Sequence, residues 1–161
     1  MSGQIQYAVS RALTSGTTPQ SDELEAQRAS QEAAALADHL VRAGAPLVAP
    51  VMELPAGESC HFVAPVRFGR RRGDQFGHLE LTSRWLKFHG ALDVSIVWDE
   101  IAEVQHAGRD IQVSLADSRR AFRFSCHTAV EAARGSVIAR YLRRQAAASE
   151  AEAEASQHAA L

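Results

Sequence analysis

Between Gly77 and Phe124 apolar residues recur at every second position, and this alternation limits the fold more than any other feature of the chain. Leu79 and Leu81 begin it, Leu86 and Phe88 continue it, and Val94, Ile96 and Trp98 follow. After Ile101 and Val104 come Ile111, Val113 and Leu115, then Phe122 and Phe124. Turn residues break the runs at Thr82-Ser83, Gly90, Ala107-Gly108 and Asp117-Ser118. Short runs of period two between turn signals predict an antiparallel sheet with one buried face.

The flanks fit the same architecture. Residues 59–69 read as a first strand, alternating from His61 to Phe68 except at Pro65, which predicts an edge or a bulge. Val130, Ala133, Val137, Ile138, Tyr141 and Leu142 fall at helical spacing, so residues 128–145 read as an amphipathic helix. Thr128 stands at its cap and Glu131 at the capping-box position. The expected fold is mainly β with flanking helices: a small, partly open barrel or two-sheet sandwich of about seven antiparallel strands, capped by the C-terminal helix. The expected core holds Phe62, Val66, Leu79, Leu81, Leu86, Phe88, Ile96, Trp98, Ile101, Val104, Ile111, Val113, Phe122, Phe124, Val137, Ile138 and Leu142.

The order of these residues also resembles a known family. Gly77-x-Leu79-x-Leu81-Thr82 runs on to Leu86-x-Phe88, then come Ile96-x-Trp98-x-x-Ile101-x-x-Val104 and Phe122-x-Phe124. With the lead-in Leu54-Pro55-Ala56-Gly57-Glu58, this pattern resembles the GRAM domain of the pleckstrin-homology-like superfamily over about residues 54–144. The chain departs from many pleckstrin-homology domains in having Tyr141 and no Trp in the closing helix. The resemblance implies that the turn after the first strand is where an anionic lipid headgroup would bind. Arg67, Arg70, Arg71 and Arg72 stand there, with Arg84 or Lys87 as contributors from a neighbouring strand. Guanidinium groups suit phosphate because they bind it in a bidentate fork.

The remaining segments divide simply. Residues 1–20 are expected to be weakly ordered. Residues 22–43 read as an Ala-rich helix capped by Ser21 or Asp22, boxed by Glu25 and stopped by Gly44, which docks on its own domain or on a second copy. Residues 45–56 hold three of the five prolines and read as an extended linker, with Val48 and Val51 as candidates for a short edge strand. The domain proper spans 57–145, and the Ala/Glu-rich tail 146–161 is expected to extend the helix and fray.

Composition excludes several classes. The apolar runs are too short to cross a bilayer, and the N-terminus lacks the basic and apolar regions of a secretory signal. Two cysteines make no disulfide framework, which favours a cytoplasmic location. The chain holds 30 Ala, 16 Arg, one Lys and no Asn, the signature of GC-rich codons and so of a bacterial source. A net charge of −2 and 6% aromatic residues argue against nucleic acid, although residues 57–144 alone carry +4 between acidic arms. Arg109, Arg119, Arg120 and Arg123 are expected to pair with Asp110, Asp117 and Glu103. Cys60-His61 and Cys126-His127 could offer zinc ligands, but neighbours on a strand point to opposite faces, so no metal or other cofactor is expected. No nucleophile elbow, phosphate loop or carboxylate pair points to catalysis. The functional expectation is a non-enzymatic protein-interaction or self-assembly module. The alternative is a peripheral membrane module that binds anionic headgroups at the inner face of the membrane through the Arg-rich loop 67–72.

Overall fold

The alternating stretches form strands in the predicted places. The computed structural model describes residues 19–70 and 73–160. A first helix, α1 (Pro19–Ala43), precedes β1 (Cys60–Arg70), β2 (Gly73–Thr82), β3 (Trp85–His89) and β4 (Val94–Val97). A single 3-10 turn, Trp98–Glu100, leads to β5 (Ile101–Ala107), β6 (Asp110–Leu115), β7 (Ala121–Ser125) and the long helix α2 (Ala129–Ala159). All but two of the residues expected to be weakly ordered, those before Pro19, lie outside the described set, while Pro19 and Gln20 already belong to α1.

The strands make one antiparallel sheet in the order β4-β3-β2-β1-β7-β6-β5. Its edge strands, β4 and β5, are consecutive in the chain. From Val97 to Ile101 the backbone spans at most about 14 Å, whereas seven strands laid flat would hold their edges about 29 Å apart. The sheet therefore curls until its edges approach, and it remains unclosed because β4 and β5 do not pair. Its weakest seam is at β1, which meets β7 only through Arg67↔Ser125 and Phe68↔Phe124. Pro65 lies just beyond that seam, where β1 has only β2 beside it, and the irregularity in β1 falls between Cys60 and Phe62 rather than at the proline. A strand partnered on one side tolerates a missing N–H.

The inner face of the curl is the core. Phe68 packs on Phe124 and on Phe88, each at 5.1 Å between ring centres, and on Phe122 at 5.8 Å. The expected core residues are buried, apart from Phe122, which is half-buried. α2 lies across the open end with Ala132, Gly135, Ser136, Ala139 and Leu142 inward. Its small side chains let the helix come close, and the Ser136 hydroxyl donates to carbonyls of its own helix, at 2.9 Å from Ala132 O and 3.0 Å from Ala133 O. The predicted capping box is present: Glu131 N–H donates to Thr128 Oγ1 at 3.1 Å, and Thr128 N–H to Glu131 Oε2 at 3.3 Å. α2 continues unbroken to Ala159, so the tail up to that residue is helix.

α1 docks on α2 through alanines: Ala29 and Ala33 meet Ala129, Val130 and Ala133, and Leu36 and Leu40 reach the main core. The expected Asp22–Glu25 box does not form, because the helix already runs through Pro19, which suits a first turn. Glu25 serves α2 instead. Its Oε1 accepts the Ala129 N–H at 2.8 Å and its Oε2 stands 3.3 Å from Arg109 Nη2. At the other end Gly44 takes φ 77°, and its N–H closes the helix on Leu40 O at 3.0 Å.

Candidate functional site

The Arg-rich end of the β1–β2 hairpin is built from strand parity. Positions 65 and 67 of β1 and 76, 78 and 80 of β2 point away from the core, so Arg67 stands opposite Phe76 on the outer face. Arg67 Nε lies 3.5 Å from Asp74 Oδ2, with both side chains about half exposed, a pairing worth at most about 1 kcal/mol. Arg70 pairs with Gly73 through the backbone. Arg71, Arg72 and the side chain of Arg70 lie outside the described residues. Phe76 is 79% exposed, and Leu92 in the β3–β4 loop is 51% exposed. The Leu92 N–H donates to Gln75 Oε1 at 3.3 Å, which ties this loop to the start of β2. The hairpin end thus presents two uncovered apolar side chains beside a basic stretch.

The structure does not bring Arg84 or Lys87 to this end. Arg84 follows the far end of β2, about 30 Å of strand from Gly73. Lys87 pairs across the strands with Glu80, and its Nζ lies 3.1 Å from Glu58 Oε1 with side chains only 17% and 2% exposed. Two of the six expected headgroup residues are therefore elsewhere, and Lys87 is already engaged.

What engages it is a polar layer that the sequence reading missed. The segment 45–59 is no strand; it lies as a strap over the outer face of β1 to β3. Val48 N–H donates to Cys60 O at 3.0 Å, His61 Nδ1 lies 2.8 Å from Pro46 O, and Val51 N–H donates to Glu80 Oε2 at 2.6 Å. Glu80 is wholly buried there, its Oε1 at 3.3 Å from His89 Nε2. Glu58 accepts from Thr82 Oγ1 at 2.5 Å as well as from Lys87. Two carboxylates, an ammonium and an imidazole thus sit between strap and sheet. Burial raises the Cys60 thiol pKa, and the nearby Glu80 charge adds to it.

Beside the hairpin, a groove of about 910 Å³ runs over the outer face, edged by Arg67, Phe76, His78, His89, Arg109 and His127. Its two arginines are partnered by Asp74 and Glu25. Arg123 pairs with Asp110 at 3.8 Å, as expected, whereas Arg109 pairs with Glu25 rather than with a strand neighbour. The strand pleat separates Cys60 from His61, while Cys126 and His127 lie in the loop after β7, one buried and the other exposed. Cys60 and Cys126 are buried thiols, while His61 binds the strap and His127 is exposed. Burial first, then the charges of Glu131 and Asp110, push the Cys126 thiol up to about 12, which leaves it a poor nucleophile.

No protein-family model matches the chain. No curated protein matches it. Among solved structures it is similar to the C-terminal domain of an unknown protein from Leishmania infantum, at 20% identity and a TM-score of 0.46 over 54% of this chain and 87% of the other.

Proposed function

We propose that the chain is a non-catalytic docking module of the GRAM type, and that the hairpin end of its sheet attaches to an anionic membrane surface. One observation carries this reading: Phe76 is exposed opposite Arg67 and just after Arg70, Arg71 and Arg72, with Leu92 exposed on the adjoining β3–β4 loop. Basic groups near an anionic leaflet contribute on the order of 1 kcal/mol each, and burying a phenylalanine adds about 2 kcal/mol. Together they give weak, reversible, salt-sensitive adsorption. Among the described residues no helix is long and apolar enough to cross a membrane, so attachment of this kind would rest on the surface.

The test is vesicle flotation at low and physiological salt, with neutral and with phosphatidylserine-containing vesicles. The wild-type chain is expected to float only with the anionic ones. Changing Arg70, Arg71 and Arg72 to Glu should abolish binding, and Phe76→Ser should weaken it about tenfold. Absence of wild-type binding, or equal binding by all three chains, would sink the membrane reading.

A second reading, a protein-interaction or self-assembly module, rests on a different surface. The strap exposes Leu47, Val48, Val51 and Met52 in close succession. Light scattering on a Leu47→Ser, Met52→Ser chain would show whether this surface joins copies.

A further inference from the structure

The two tryptophans of the chain line one hollow. Trp85 opens β3, and Trp98 opens the turn between β4 and β5. With Tyr141 of α2 they border a cavity of about 690 Å³ at the end of the sheet remote from the Arg-rich hairpin. Trp98 is a fixed wall: its indole N–H donates to Thr82 O at 3.0 Å, and it is almost wholly buried. Trp85 and Tyr141 are half-buried and keep surface toward the cavity. α2 runs on past Leu142, and its next turns supply Gln145, Ser149 and Glu150 as the opposite wall.

The charges of this hollow are unspent. Asp99 from the β4–β5 turn and Glu150 from α2 both line it, both are exposed, and neither has a hydrogen-bond or ion-pair partner among the described residues. The same holds for the guanidinium of Arg84 at its rim. His61 lines it too, with its Nδ1 taken by Pro46 O. Two free carboxylates against one free guanidinium leave a negative bias over an aromatic surface.

We propose that this cavity binds an organic cation, an ammonium group with apolar substituents. Aromatic faces attract such a cation through their quadrupoles while its substituents cover apolar surface, and carboxylates add Coulombic attraction. A small inorganic cation keeps its hydration shell and gains nothing from the indoles. Arg84 favours ligands that also carry an acceptor oxygen. The site is independent of the membrane-facing surface, because β2 separates the two by about 30 Å.

Trp85 keeps surface toward this cavity and Trp98 forms part of its wall, so tryptophan emission reports on it. The full chain is titrated with choline and, separately, with the uncharged analogue in which a quaternary carbon replaces the nitrogen. Saturable quenching by choline alone is expected. Asp99→Asn and Glu150→Gln change exposed groups without a hydrogen-bond or ion-pair partner among the described residues, and each should weaken choline binding by about two- to fivefold. A linear response, an equal response to the uncharged analogue, or unchanged affinity in both variants would overturn the proposal.

Discussion

Replacing Lys87 by Met separates the headgroup role suggested by the sequence from the buried ion pair seen in the structure. As a headgroup ligand, Lys87 would be exposed and its loss would weaken membrane binding. In the structure its ammonium stands 3.1 Å from a Glu58 carboxylate that is 2% exposed, with Glu80 as its cross-strand neighbour. Methionine keeps most of the apolar stem, so the perturbation is chiefly electrostatic. Breaking a buried ion pair from one side costs about 3–5 kcal/mol, because the other charge stays behind. Two features reduce this. Thr82 Oγ1 still donates to Glu58, and Lys87 is 17% exposed, so water can reach the vacated position. We expect a loss of about 2–3 kcal/mol, which for a chain of this size lowers Tm by about 4–12 °C. Neutralising the stranded partner should return much of it. The double variant Glu58→Gln, Lys87→Met is expected to be at least about 1 kcal/mol more stable than Lys87→Met alone. Urea unfolding of the wild type, both single variants and the double variant measures the coupling, and flotation of Lys87→Met should match the wild type. A single variant within about 0.5 kcal/mol of wild type, or a double variant no more stable than Lys87→Met, would refute the buried-pair account.

Two further outcomes test how α2 is held. A Cβ at Gly135 would stand 2.7 Å from Ile111 Cδ1 and 2.9 Å from Phe62 Cζ. Alanine gains about 1 kcal/mol of helix propensity there, but overpacking costs about 1–3 kcal/mol, so Gly135→Ala should lower Tm; a rise would mean that α2 has room to shift. The Ala129 N–H bond is the main cause that holds the Glu25 pKa below its ordinary value, with partial burial opposing it and Arg109 assisting. A lowered folded-state value stabilises the fold above the unfolded-state pKa and is lost as pH falls through the folded one. The stability advantage of wild type over Glu25→Gln should therefore shrink below about pH 4.5, and urea midpoints showing a constant gap from pH 7 to pH 3 would contradict this.

Much of the fold was legible because one face of every strand is buried, and burial of one face writes period two into the sequence. Leu79, Leu81, Leu86 and Phe88 followed from that rule alone. The Thr128–Glu131 box was legible because it is local, closing within one turn of helix. Glu25 was misread for the converse reason. Its local partner was available on paper, but the helix begins earlier and the carboxylate caps a helix more than a hundred residues away.

The site was less legible, because its residues are placed by strand length and by a segment without periodicity. Family resemblance put Arg84 and Lys87 on a strand neighbouring the basic loop, yet neighbouring strands touch along their whole length. The ten residues of β2 carry Arg84 to the opposite end. Phe76 could have been found from parity, since it shares the outward face with His78 and Glu80 and has nothing in the alternating pattern to cover it. The polar layer had a fainter signal. Outward-facing Glu80, Lys87 and His89 look like an ordinary solvated face until something covers them. What covers them is the Pro-rich strap, which carries neither period two nor period 3.6 and so reads as a linker. Opposite charges on paired strands, next to an aperiodic segment long enough to lie across them, were the available clue. This also explains why Lys87 is misassigned by any argument that treats a basic residue at an outward position as free.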